Sequence, residues 1–275
     1  MTEQRLSLPA VDLLAALGLP LTAMVNQRVP KKMLAENGAP TMSDRKLIQD
    51  YIEEVKWVAA LKPANVGVPD YKDEQRTYLE LAVLCVTLRK GGQLDPKSAK
   101  VSRIAELIHR SIPYPVFLVL DDGDNRIVSL AHIRWAQTEI DKTVLDGELL
   151  FTNFSHLPVS VSESAENALN ARAEFLASLA LSKQPCNDLC TLYQGWMDTV
   201  SAWQAAVVTG RFVTSKSPAH AAERRAALRR CHELDAQVAS LRLAASKEKQ
   251  IARQVAANLE IKALLVKREQ VVSNV

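Results

Sequence analysis

Residues 77–88 read TYLELAVLCVTL, and from Leu81 to Val86 the run is apolar on both parities. A strand with one buried face alternates apolar and polar residues, so a strand apolar on both parities is covered on both faces. The chain must therefore build a sheet with material packed on each side. YPVFLVL (114–120) repeats the pattern, DDGDN (121–125) has hairpin-turn composition, and RIVSLAHIRWA (126–136) returns as the next strand. VKWVAALKP (55–63) is a strand ended by Pro63, and KTVLDGELLFTNF (142–154) supplies one more.

Helical spacing lies between these strands. LPAVDLLAALGLP (8–20) is a short helix closed by Gly18 and Pro20. SDRKLIQDYIEEV (43–55) starts with Ser43 as N-cap and places Leu47, Ile48, Tyr51, Ile52 and Val55 at helical intervals. SAKVSRIAELIHRSI (98–112) puts Val101, Ile104, Ala105, Ile108 and Ile112 on one side. This order predicts an α+β fold, with a mixed or antiparallel sheet and covering helices over 1–158.

From about residue 162 strand patterns fade. A helical region is expected over 159–212, in ESAENALNARAEFLASLALS and DLCTLYQGWMDTVSAWQAAVVTG. Beyond Pro218 the chain has no further Gly or Pro. Ala227, Cys231, Leu234, Val238, Leu241 and Ala245 alternate spacings of four and three, the pattern of a coiled-coil seam. A single long, basic, coiled-coil-like helix over 213–275 is expected, its continuous part about 55 residues and about 80 Å long. A hairpin breaking near Ser246 is the alternative.

The composition sets limits. With 275 residues, 48% apolar and 24% charged, the chain supports one large domain or two modest ones. A net charge of +3 is too small to imply nucleic-acid binding by itself. No apolar run approaches the roughly 18 residues of a membrane span. The N-terminal segment carries Glu3 ahead of an apolar part interrupted by Pro9 and Asp12, unlike an export signal. Cys85, Cys186, Cys190 and Cys231 are dispersed, with Cys85 in the apolar run, as expected of a reducing, cytoplasmic chain without membrane partners.

RVPKKML, IEEVKWVAALKPANVGVPDY, YLELAVLCVTLR, LIHRSIPYPVFLVL, VSLAHIRW and KEKQIARQVAANLEIKAL occur in that order. Together they resemble the bacterial family of domain of unknown function 4391 over nearly the whole chain. The resemblance implies a cytoplasmic protein whose gene lies near helicase, ATPase and DNA methyltransferase genes of restriction-type defence loci. It implies no particular activity.

Catalytic patterns are incomplete. A restriction-type metal site needs an Asp on one strand and an acidic-x-Lys on the next. Asp70 and Glu80 are the candidate carboxylates, but Leu81 and Ala82 follow Glu80 and supply no lysine. Glu54-Val55-Lys56 has the right spacing in the wrong order, with Glu53 and Glu54 read as helical. Cys186 and Cys190 form a C-x₃-C pair that needs two more zinc ligands, for which His156 and His232 are candidates. KGGQLDPK (90–97) lacks the order of a phosphate loop. No cofactor is expected.

Binding candidates are clearer. His132 and Arg134 share one strand face, opposite Ala131, Ile133 and Trp135, and are expected exposed. Arg28, Lys31 and Lys32 crowd the start of KKMLAEN, a helix expected to run to about Gly38 with Pro30 in its first turn. Lysines there oppose the helix dipole, so an anion or partner contact competes with plain solvated charge. From residue 221 onward eleven basic residues face six acidic ones. Such an arm can track phosphates weakly and without sequence preference, or its seam (Cys231, Leu234, Val238, Leu241) can pair with a partner helix or with itself. The leading expectation is a non-enzymatic accessory subunit docking on a helicase, ATPase or methyltransferase of the same locus. A divergent nuclease using Asp70 and Glu80, with Glu54 and Lys56, and a sequence-independent DNA binder are the alternatives.

Overall fold

The computed structural model describes residues 10–89, 99–136, 143–154 and 165–273. KGGQLDPK, His156 and the HLPVSVSES segment lie outside them. In chain order the elements are α1 (Ala10–Ala16), β1 (Met24–Arg28), α2 (Lys31–Gly38), α3 (Met42–Tyr51), β2 (Ile52–Leu61), α4 (Pro63–Val66), β3 (Tyr71–Lys72), β4 (Thr77–Tyr78), β5 (Leu81–Leu88) and α5 (Ala99–Ser111). There follow β6 (Val116–Asp121), β7 (Arg126–Trp135), β8 (Thr143–Asn153), α6 (Ala165–Ser178), α7 (Leu189–Thr209), α8 (Pro218–Lys247) and α9 (Ile251–Val272). By contacts the chain divides into two units, Met1–Leu157 with Glu174–Val200, and Pro158–Ala173 with Ser201–Val275. The region expected at 159–212 is thereby shared between them.

The first unit is α+β. Its six-stranded sheet runs β1-β2-β5-β6-β7-β8, antiparallel except for the β5–β6 pair. That parallel pair needs a crossover, and α5 provides it. Ala82, Leu84 and Val86 of β5 and Val116, Leu118 and Leu120 of β6 pack with Leu34, Ile48, Val101, Ile104 and Ile108 of the helices. The alternate residues face the other way, where Phe117 meets Trp196 of α7 edge-on at 5.3 Å between ring centres. The Tyr193 hydroxyl accepts the Ala131 amide at 3.0 Å and donates to the Val116 carbonyl at 2.8 Å. Both faces of β5 are thus covered, as its double apolar parity requires.

Two local interactions fix the helices on the first of these faces. Arg103 of α5 binds both carboxylate oxygens of Asp44 at 2.9 Å, which holds that carboxyl down to about 2. Gly38 ends α2 against α5 so closely that a Cβ there would lie 2.5 Å from the Leu107 carbonyl.

Several boundaries differ from expectation. Thr41, not Ser43, caps α3, its hydroxyl accepting the Asp44 amide at 3.1 Å. The helix stops at Tyr51, and Ile52 and Val55 belong to β2, where both are fully buried. Glu53 and Glu54 are therefore strand residues. β1 is an additional edge strand, pairing with β2 through an irregularity between Met24 and Gln27.

In the second unit the C-terminal region is helical but is not one rod. Glu248 and Gln250 are extended, α8 ends and α9 folds back along it. The turn needs neither Gly nor Pro. The Glu248 carboxylate accepts the amides of Lys249 and Gln250 at 2.8 and 2.9 Å, and the Gln254 side chain donates to the Glu248 carbonyl at 2.6 Å. Cys231, Leu234 and Val238 are buried, Leu241 is half-buried, and Arg268 of α9 reaches Asp235 of α8 at 2.6 Å. Burying the seam within one chain offsets the cost of the turn.

Candidate functional site

The polar residues flagged in the sequence fall into three neighbourhoods. The first lies around β4 and β7. His132 is not free on an exposed face. Its Nδ1 faces the Tyr78 hydroxyl, and its Nε2 meets the Gln194 side-chain oxygen at 2.8 Å. Gln194 in turn donates to Asp198 at 2.8 Å. This polarity places the imidazole proton on Nε2 and makes Nδ1 the acceptor for Tyr78. Tyr78 is fully buried, and burial raises its phenol far above the ordinary range. The chain of bonds therefore has no exposed end at Tyr78. Arg134 shares Asp146 with Arg76, at 3.8 and 2.5 Å. Trp135, expected inward, is instead 40% exposed, with its indole N–H donating to Thr77 Oγ1 at 3.1 Å.

The nuclease candidates do not converge. Glu80 is buried and ion-paired with Lys62 at 3.1 Å, while Asp70 is exposed in the loop before β3. Glu54 faces Arg28 at 3.6 Å, and Lys56 is exposed on β2. Cys186 precedes α7 and Cys190 lies in its first turn, where burial raises the thiol. Among the described residues no group of three His, Cys, Asp or Glu side chains can hold a metal ion.

The second neighbourhood is the start of α2. Pro30 is the N-cap, and no acidic residue occupies the first turn. Lys31 Nζ donates to the Ile52 carbonyl at 2.9 Å, where Arg89 Nε also points at 3.4 Å. Burial, then the Arg89 and Arg28 charges, push Lys31 below the usual lysine range. Lys32 is exposed and reaches Glu36 at 3.6 Å. Arg45 of α3 lines the same cavity as Lys31 and Lys32. Nothing in the sequence marks Arg45, because a lone charge on a helix shows no neighbour until the helices are placed.

The third neighbourhood is the outer face of α9. Ile251, Val255, Leu259 and Val266 are 76, 52, 65 and 48% exposed. At about 100° per residue they fall within one sector about 80° wide. Ile261, which is buried, lies about 120° from the middle of that sector. Helix α9 thus carries an exposed apolar stripe, interrupted by Lys262 and Glu269, besides the stripe used inside the hairpin.

A mixed six-stranded sheet sandwiched by helices, followed by a helical hairpin, defines an α+β protein. The chain belongs to the family described as Domain of unknown function (DUF4391), whose model matches residues 17–267. No curated protein and no solved structure matches it. Among the described residues no helix is long and apolar enough to cross a membrane.

Proposed function

We propose that this protein is a non-enzymatic accessory subunit that captures a partner protein on the outer face of α9. The exposed apolar sector of Ile251, Val255, Leu259 and Val266 is the observation that carries the reading. Isolated exposed apolar side chains are ordinary, but an aligned set on one helix face is an association surface. Charge selects the kind of partner. Between Arg242 and Lys267 the basic residues are Arg242, Lys247, Lys249, Arg253, Lys262 and Lys267, against Glu248 and Glu260 alone. Two copies paired here would bring two basic regions together, which disfavours self-pairing and favours an acidic, apolar partner surface. In this reading the partner is a helicase, translocase, ATPase or methyltransferase of a restriction or phage-defence locus, as the resemblance implies, and the compartment is the cytoplasm. Contact with DNA is weak and salt-sensitive in this reading.

Co-expression with each neighbouring gene product, followed by size exclusion and calorimetry, tests it. One product binds, and Val255→Asp with Leu259→Asp abolishes binding while helicity is retained. Unchanged binding in the double variant refutes the surface. Mg²⁺-dependent DNA cleavage lost in both Asp70→Ala and Glu80→Ala refutes the non-enzymatic reading.

A further inference from the structure

A cavity of about 510 Å³ lies between α2 and α3, and Lys31, Lys32 and Arg45 line it against a single carboxylate, Glu36. Ile48 supplies an apolar wall and Gln49 an amide. Arg45 also lines a second cavity of about 510 Å³, which runs past Gly38 to Arg110 and Thr143. Both volumes lie in the range of small-ligand sites.

The charge is unbalanced where the space is. In this unit Arg28, Arg76, Arg103, Arg110, Arg126 and Arg134 each meet a carboxylate, while Arg89 points at the Ile52 carbonyl. Arg45 has no such ion pair among the described residues. Lys32 has only an exposed contact at 3.6 Å, which holds it loosely. Three basic residues thus line a concavity that offers them one carboxylate, Glu36.

We infer that this cavity binds a phosphate group, held by Arg45, Lys32 and Lys31, with Gln49 and Ile48 contacting the atoms attached to it. Guanidinium suits the site, because its planar fork donates two parallel bonds to phosphate oxygens. Lys31 is disfavoured by the Arg89 and Arg28 charges more than Glu53 favours it, so an added anion stabilises its ammonium. The phosphate comes either from a free nucleotide or pyrophosphate seated in the first cavity, or from a nucleic-acid backbone tracking both cavities past Arg45. The hairpin of the second unit plays no part, so this site stands independently of partner capture.

Isothermal titration of the full chain with pyrophosphate, with ADP and with a short single-stranded oligonucleotide tests the site. At least one probe binds saturably, and Arg45→Gln and Lys32→Gln each weaken it by ~10-fold or more. Lys46→Gln, the same charge change on the exposed side of α3, alters it by less than about twofold. Arg45-dependent binding of pyrophosphate and ADP identifies a free phosphate compound. Arg45-dependent binding of the oligonucleotide alone identifies the backbone. The inference is overturned if no probe binds, if Arg45→Gln leaves binding unchanged, or if Lys46→Gln weakens it as much as Arg45→Gln.

Discussion

His109 on α5 makes the sheet unit sensitive to mild acid. The side chain is 1% exposed, with Nε2 3.0 Å from the Ser129 hydroxyl of β7. Burial lowers its pKa from 6.5 to about 3. In the unfolded chain the imidazole takes up a proton below about pH 6.5, while in the folded chain it stays neutral. The unfolded state therefore binds more protons between those values, and the stabilising contribution present above pH 6.5 is lost as pH falls. Each pH unit in that window costs about 1.4 kcal/mol, so moving from about pH 7 to about pH 5 removes roughly 2 kcal/mol through this group alone. The figure does not depend on the exact folded value, provided it lies well below 5. The assay compares wild type with His109→Gln, which keeps a polar group opposite Ser129 and does not titrate. Urea unfolding at both pH values, with amide exchange of β6 and β7 to confine the readout to the sheet, gives the two losses. Wild type should lose roughly 2 kcal/mol more than the variant. Equal losses would show that His109 is protonated in the fold or reached by water, and would refute the reasoning.

Gly38→Ala forces a Cβ to within 2.5 Å of the Leu107 carbonyl and 2.0 Å of Ser111 Oγ, and backbone on that side cannot rotate away. It should destabilise the sheet unit by ~1–3 kcal/mol, read as a lower melting temperature. Leu234→Asp places a charge at a position 1% exposed inside the hairpin. It should melt α8 and α9, read as lost helical circular dichroism, by several kcal/mol, whereas Val255→Asp on the outer face leaves helicity intact.

Much of the sheet unit was legible because its central strands are apolar on both parities. Only strands buried on two faces carry that pattern, and β5 and β6 lie at the centre of the sheet. Helix α5 was legible from period alone. The boundary at Tyr51 was not, because Leu47, Ile48, Tyr51, Ile52 and Val55 satisfy helical spacing straight through the point where the chain turns extended. Only pairing of β2 with β5 decides it. The α8–α9 turn was hidden for a different reason. Its signal is the Glu248 side chain closing on two amides, and Glu is an ordinary helix residue. Lys31 and Lys32 stood out in the sequence by opposing the helix dipole. Arg45, on a helix whose neighbours depend on tertiary packing, did not.

The edge strand β1 has a consequence for crowded solution. A straight, exposed edge offers unpaired amides and carbonyls to any passing strand. Here Asn26 adopts φ 51°, which Asn tolerates better than most residues, and the pairing slips between Met24 and Gln27. The kink breaks the regular row of donors and acceptors, and Arg28 adds a charge at its end. A β-branched residue at position 26 would favour a flatter strand and turn this rim into a template, so that the same sheet would polymerise edge to edge.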